Sequence, residues 1–408
     1  TSAGSDLSSF DALQGGETLT LSGSGTSASA NVANGIAMSS NGNLALVDGT
    51  GLASNYSLNS TVINITERVL NSSGSKIYDA NTDALAADIT LSNLVSGEAL
   101  NHSGTATISS ANAGSYTITN LAGITIADGS GGTASNYTLT GGTHNFTTNQ
   151  RPLNATLARQ YDGTSNAAGS DLSSFDALQG GETLTLSGSG SAVNDNVANG
   201  ISVSSLGTLA LINGTGLASN YSLNSAVINI TQRVLSSSGS KAYDANTNAL
   251  AADITLSNLV SGETLNHSGT ASVSSANAAS YTITNLAGIT LADNAGLASN
   301  YTLTGGTHNF TVNPKVISLS GSRLYDATTD AVASDLTTIS GLVGSETLNL
   351  SGTGSVTNAN VASNKTVTLG TLALADNSGL AANYTLSGGT HQLTINQRPL
   401  AATVARQY

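Results

Sequence analysis

The sequence predicts an all-β fold: a tandem array of antiparallel β-sandwich repeats of about 82 residues, forming an elongated rod. Three observations predict it. Two tyrosine motifs recur at a fixed spacing, apolar residues alternate in short runs, and turn residues interrupt those runs every ~8–12 residues. A Tyr-Asp pair stands at Tyr78-Asp79, Tyr161-Asp162, Tyr243-Asp244 and Tyr325-Asp326, and Tyr408 ends the chain; the intervals are 83, 82, 82 and 83. An Asn-Tyr pair ends in Tyr56, Tyr137, Tyr221, Tyr301 and Tyr384, at intervals of 81, 84, 80 and 83. With Tyr116 and Tyr281, these positions account for all 12 tyrosines.

The repeats are read as 1–68 (N-terminally truncated), 69–151, 152–233, 234–315 and 316–398, with 399–408 the first strand of a further repeat. They are numbered 1 to 5 below. Residues 3–68 resemble 168–233, and 69–151 resemble 234–315, an offset of 165 that spans two repeats. The tail PLAATVARQY matches RPLNATLARQYDG at 151–163. The chain is therefore expected to be an excerpt of a longer array.

Repeat 3 shows the elements in order. Leu153, Ala155 and Leu157 alternate with polar or small residues, the period of a strand with one buried face. Asp162-Gly163 is a turn. The stretch Leu172–Leu178 could hold one short helical turn. Gly180-Gly181 turns the chain into a strand around Leu184 and Leu186. Ile201 and Val203, then Leu209 and Leu211, mark further strands. After Asn213-Gly214 come Tyr221 and Leu223, and 226–231 closes the repeat. That makes six or seven strands. The next strand begins at once, with no Gly/Ser or Pro-rich linker at Arg68, Arg151, Arg233, Lys315 or Arg398, so neighbouring repeats should be stiffly joined. The alternative is a β-solenoid with four coils of ~20 residues per repeat, a period at which the sequence lacks self-similarity.

Composition narrows the function. Only 9% of residues are charged, the net charge is -13, and there are 11 Lys+Arg in 408 residues, too sparse for phosphate binding. There is no Cys, so neither disulfides nor thiolate metal sites hold the fold. No apolar run approaches the ~20 residues of a membrane-spanning helix.

The Tyr-Asp-Gly/Ala motif, the Gly-Glu-Thr-Leu segment (Gly181–Leu184, Gly262–Leu265) and the Ala-Ser-Asn-Tyr segment, in that order, resemble the YDG-type, mostly bacterial Ig-like repeats of two-partner-secretion and filamentous-haemagglutinin-like adhesins. The resemblance covers all five repeats. It implies a structural region of a large secreted adhesin or matrix filament, at the cell surface or in a biofilm, acting as stiff spacer or fibre in adhesion. The alternative is a glycan- or receptor-binding repeat. The partners implied are neighbouring repeats, other copies of the fibre and surface glycans. Ala80, Ala245 and Ala327 replace the motif glycine, which places a positive-φ turn in question there.

No catalytic residues stand out, and no enzyme is expected. His102 and His267 (in LNHSGT) and His144, His308 and His391 (in GGTH) read as strand-surface or interface residues. Glu98 with His102, and Glu263 with His267, share a strand face but lie ~13 Å apart, too far for acid/base work. No cofactor is expected, calcium being the one considered: Asp48, Asp128, Asp293 and Asp376 recur in turns before Asn-Tyr, and Asp79, Asp162, Asp244 and Asp326 follow Tyr. Calcium wants six to eight oxygens, whereas Asp and its replacement Asn213 can equally cap turns. The Tyr of each Tyr-Asp pair is expected to anchor the joint between repeats, because large rings are scarce.

Overall fold

A computed structural model describes all 408 residues. The chain groups into two compact units, Thr1–Leu157 with Ala167–Ser191 and Ser202–Val227, and Ala158–Asn166 with Ala192–Ile201 and Ile228–Tyr408. Strands, turns and short 3-10 segments make up every repeat, and there is no α-helix. No helix is long and apolar enough to cross a membrane.

In the second unit, repeat 4 gives the plan. Its opening strand Ser236–Ala242 lies between Ile254–Ser257, which is antiparallel to it, and the closing strand His308–Asn313, which is parallel to it. Ala279–Thr282 completes this sheet on the far side of the closing strand. A second, antiparallel sheet runs Asn248–Leu250, Asn266–Ser272, Ile289–Ala292. Seven strands exceed two residues, within the number the alternation predicts. The parallel opening–closing pair departs from the expected antiparallel sheet. Both strands carry a buried face, and the first and last strands of a repeat can run side by side in one direction only because the whole repeat connects them. The in-register parallel stacking at ~20 residues that a solenoid needs is absent from these ladders.

The core is what alternation predicts. Ile254, Ala271, Val273, Ile289, Phe310 and Val312 are buried. Phe310 is wholly buried opposite Gly239, where an added Cβ would meet the ring at 2.8 Å. Repeat 5 follows the same plan with Ser318–Leu324 parallel to His391–Asn396. The buried cluster runs unbroken from Tyr243 and Phe310 through Leu336 and Leu348 to Leu393 and Ile395, so repeats 4 and 5 share one core.

In the first unit, repeat 2 repeats the parallel pair as Asn71–Ile77 with His144–Asn149. Here the two sheets join, because Leu100–Ile108 pairs with Gly114–Asn120, Asp83–Leu85 and Ile124–Asp128. The result is one curled sheet around Ala84, Ile89, Ile108 and Phe146. In repeat 3, Leu153, Ala155 and Leu157 are fully buried. The helical turn expected within Leu172–Leu178 lies earlier, as a 3-10 turn at Gly169–Asp171, and Leu172–Phe175 is a strand against Ala155–Leu157. The β-branch-free run misled the period reading, and the ladder hydrogen bonds decide it.

The Tyr-Asp turns correct a second expectation. Ala80, Ala245 and Ala327 have φ of 63, 62 and 68, close to the 74 of Gly163. The turn survives the loss of glycine because the Asp carboxylate accepts the N–H two residues on, as Asp244 Oδ1 does from Asn246 at 3.2 Å. A left-handed Ala is disfavoured by roughly 1–2 kcal/mol. Ala245→Gly should therefore stabilise the chain by about 1 kcal/mol in denaturant unfolding, with glycine's added chain entropy taking back part of the gain. Gly163→Ala should destabilise, since φ is positive and its Cβ would meet Val260 Cγ1 at 2.8 Å. Equal stability of the wild-type chain and both variants would contradict the strain.

Candidate functional site: the joint between repeats

The joint begins with the Tyr of the Tyr-Asp pair. Tyr243 directly follows the opening strand of repeat 4, held by its N–H to Asn313 O at 2.9 Å. Lys241 Nζ pairs with Asp244 at 2.8 Å, as Lys76 does with Asp79 and Arg323 with Asp326, and Arg159 pairs with Asp162 in the same way. The turn so fixed sends the ring out of its own repeat and into the next.

There it meets a carboxylate and a second ring. Tyr243 Oη donates to Glu346 Oε1 at 2.6 Å, and Tyr384 Oη donates to Glu346 Oε2. Tyr161 and Tyr301 share Glu263 at 2.5 and 2.7 Å, and Tyr78 and Tyr221 share Glu182 at 2.7 and 2.5 Å. The rings of each pair meet edge to face, with centroids 5.4, 5.5 and 5.3 Å apart. The receiving phenols also accept a backbone N–H, from Val343, Val260 and Gln179. A turn glycine leaves room for the Glu side chain; at Gly296 an added Cβ would meet Glu263 Oε2 at 2.4 Å.

Burial is the main reason the phenols hold their protons, and the Glu hydrogen bond adds to it. Tyr78, Tyr301 and Tyr384 are pushed up to about 12, and Tyr161, Tyr221 and Tyr243 are also raised. Hydrogen bonds to a charged acceptor contribute ~1.5–3 kcal/mol each and an edge-to-face pair ~0.5–1.5 kcal/mol.

Two further devices flank this centre. From repeat 2 onward, the Asn of the Asn-Tyr pair reaches back into the preceding repeat. Asn383 Oδ1 accepts the Ala278 N–H at 2.7 Å while its Nδ2 donates to Asn277. Asn300 does this at Val197 and Asn196, Asn220 at Ala113 and Asn112, and Asn136 at Val32 and Asn31. Asn220, Asn300 and Asn383 are buried. The joint Arg braces both sides: Arg233 donates to Tyr161 O in its own repeat and to Asn258 in the next. Arg151 does the same at Tyr78 O and Ala177 O.

The structure thus brings Tyr78, Tyr161 and Tyr243 together with Tyr221, Tyr301 and Tyr384. Tyr325 is 38% exposed. Tyr56 and Tyr137 donate to Glu17 and Glu98 within their own repeats. The sequence reading missed the glutamate and the asparagine as joint residues, although Glu17, Glu98, Glu182, Glu263 and Glu346 recur once per repeat, as the Asn-Tyr asparagine does.

The calcium candidates are not brought together. Asp48, Asp128, Asp293 and Asp376 each aim Oδ1 at one backbone N–H, of Ala53, Ala134, Ala298 and Ala381, and so cap the 3-10 turn before Asn-Tyr. Asn213 does likewise at Ala218, which is why Asn can replace Asp there. No three His, Asp or Glu side chains cluster as a metal site. The GGTH histidines are a correction: His144, His308 and His391 are buried, not on the surface. Each Nε2 meets a backbone carbonyl, of Leu139, Leu303 and Leu386. Each Nδ1 faces Ser72 Oγ, Ser237 Oγ or the Leu319 N–H, so the ring bridges the closing strand to the opening one. Glu98 and Glu263 are committed to tyrosines, while His102 and His267 face carbonyl oxygens of Ile89 and Ile254.

The YDG domain family matches the chain over residues 66–144, 149–228, 226–309 and 308–392, well over half of its length, and the chain belongs to that family. No curated protein matches it.

The joint makes a pH prediction. Unfolded tyrosine loses its proton near pH ~10. The folded joints keep theirs to higher pH, so above ~10 the folded chain binds more protons than the unfolded one and stability falls as pH rises. The denaturant midpoint should hold up to about pH 9 and fall between about 10 and 12, with tyrosinate absorbance rising as the chain unfolds. A midpoint unchanged to pH ~12 would contradict the burial of these phenols.

Proposed function

We propose that the chain is a stiff structural segment of a large secreted bacterial adhesin or extracellular matrix filament, of the two-partner-secretion type. It serves as spacer or fibre in cell–cell or surface adhesion and biofilm. The observation that supports this most is the repeated joint, in which two tyrosine rings and a shared glutamate lock one repeat to the next. A chain whose work is to transmit position or force needs such joints, and a flexible tether needs none. The facing sheets over one core, with first and last strands paired, support reading each repeat as a variant of the Ig-like sandwich.

A glycan-binding role is less well supported. Sugar sites use exposed aromatic faces, and the joint tyrosines are buried against one another. Chemistry of the enzymatic kind finds no cluster of free acid, base and nucleophile here. The partners in this reading are the neighbouring repeats and other copies of the filament.

The absence of Cys makes stiffness directly measurable. Spin labels on Thr255→Cys and Thr338→Cys, both exposed and lying in repeats 4 and 5, should give a narrow distance distribution by pulsed electron resonance. Tyr243→Ala in the same background should broaden it. A broad distribution in the parent chain would mean a flexible tether and would sink the spacer reading.

A further inference from the structure

The opening and closing strands of a repeat are neighbours, and they run the same way. In repeat 4, 237–242 faces His308–Asn313 in register; in repeat 2, 72–77 faces His144–Asn149; in repeat 5, 319–324 faces His391–Asn396. Each pair stands inside its sheet, with an antiparallel strand on either outer side. A shorter parallel contact precedes it: Arg233–Val234 lies beside Tyr301–Thr302 in repeat 4, and Arg68–Val69 and Lys315–Val316 are placed alike. A buried histidine pins the start of the pair. His308 Nδ1 lies 2.9 Å from Ser237 Oγ, and His144 Nδ1 lies 2.9 Å from Ser72 Oγ. At the far end the Tyr243 N–H donates to Asn313 O at 2.9 Å.

This arrangement fixes how tension acts on a repeat. The chain enters at the start of the opening strand and leaves at the end of the closing one. Tension along the chain therefore pulls two parallel neighbours lengthwise in opposite directions. The ladder bonds between them are evenly spaced across the strands, so they resist together and the repeat extends only when they fail as a set. An antiparallel pair pulled at its two adjacent ends would instead lose its bonds one at a time. Little slack separates one repeat from the next, because only Pro314 stands between Asn313 and the strand Lys315–Val316.

We propose that the parallel opening–closing pair is a tension clamp, which holds each repeat folded against force along the chain. The joint resists bending, and the clamp resists stretching. Forced unfolding is governed by the unfolding rate, so the clamp acts by slowing that rate under load. The inference goes beyond the spacer reading: it concerns the inside of a repeat and stands whether or not the chain works in adhesion.

Because the chain has no Cys, repeat 4 of the full chain can be held by two introduced cysteines and pulled in a chosen direction. Ser238, Asn309 and Asn313 are exposed. Handles on Ser238→Cys and Asn313→Cys load the pair in shear. Handles on Ser238→Cys and Asn309→Cys, which face each other in the register, peel it from one end. In single-molecule force measurements at one loading rate, the shear direction should rupture at a clearly higher force than the peel direction. Ser237→Ala removes the hydroxyl beside His308 and should speed unfolding under a fixed shear force about tenfold, the worth of one hydrogen bond. Ile289→Val, which takes a methyl from the second sheet, should change that rate far less. The clamp is overturned if the two directions rupture at the same force, if Ser237→Ala leaves the shear rate unchanged, or if Ile289→Val speeds it as much.

Discussion

A carboxylate accepting hydrogen bonds from two phenols, one in each of two neighbouring repeats, is the interaction on which the remaining features depend. Glu263 can sit there only because Gly296 makes room beside it, and Tyr161 can reach it only because the Asp162 turn directs the ring forward. The turn in turn needs a cation three residues before the Asp, and Lys or Arg fills that place in each repeat from 2 to 5. These small local choices share one outcome, a ring delivered to a fixed point in the next repeat.

The joint also explains how so light a sequence holds together. Each repeat has few large side chains, and its core rests on Ile, Leu, Val, Ala and a single ring or leucine such as Phe310, Phe146 or Leu393. A domain of this size buries a limited share of its surface. Running the core across the joint, as between repeats 4 and 5, lets neighbours add apolar contact that neither repeat has alone. Nearest-neighbour coupling of this kind is the general source of stability in tandem arrays. The buried Asn clasps add direction, because a buried amide left unpaired would be costly.

Much of this was legible in the sequence. Alternation at Leu153, Ala155 and Leu157 marked a buried strand face, and the fixed spacing of tyrosines marked the joints. What was not legible involves partners far apart in the chain. The parallel pairing of Ser236–Ala242 with His308–Asn313 joins residues some 70 positions apart, and no local pattern encodes it. The burial of His308 follows from the same pairing, since Ser237 opposite it supplies the hydroxyl. The glutamate was visible as a recurring letter, but its role needed two tyrosines from different repeats to converge. Ala245 shows the converse: its residue type argues against a left-handed turn, and the Asp side chain overrides that preference.

The most direct measurement is a double-mutant cycle on Tyr243→Phe and Glu346→Gln, read from the unfolding free energy of the whole chain. If the shared carboxylate couples repeats 4 and 5, the two changes together should cost less than their sum by about 1–2 kcal/mol. Additivity to within ~0.3 kcal/mol would mean that the two side chains merely lie close, and that the joint is held by something else.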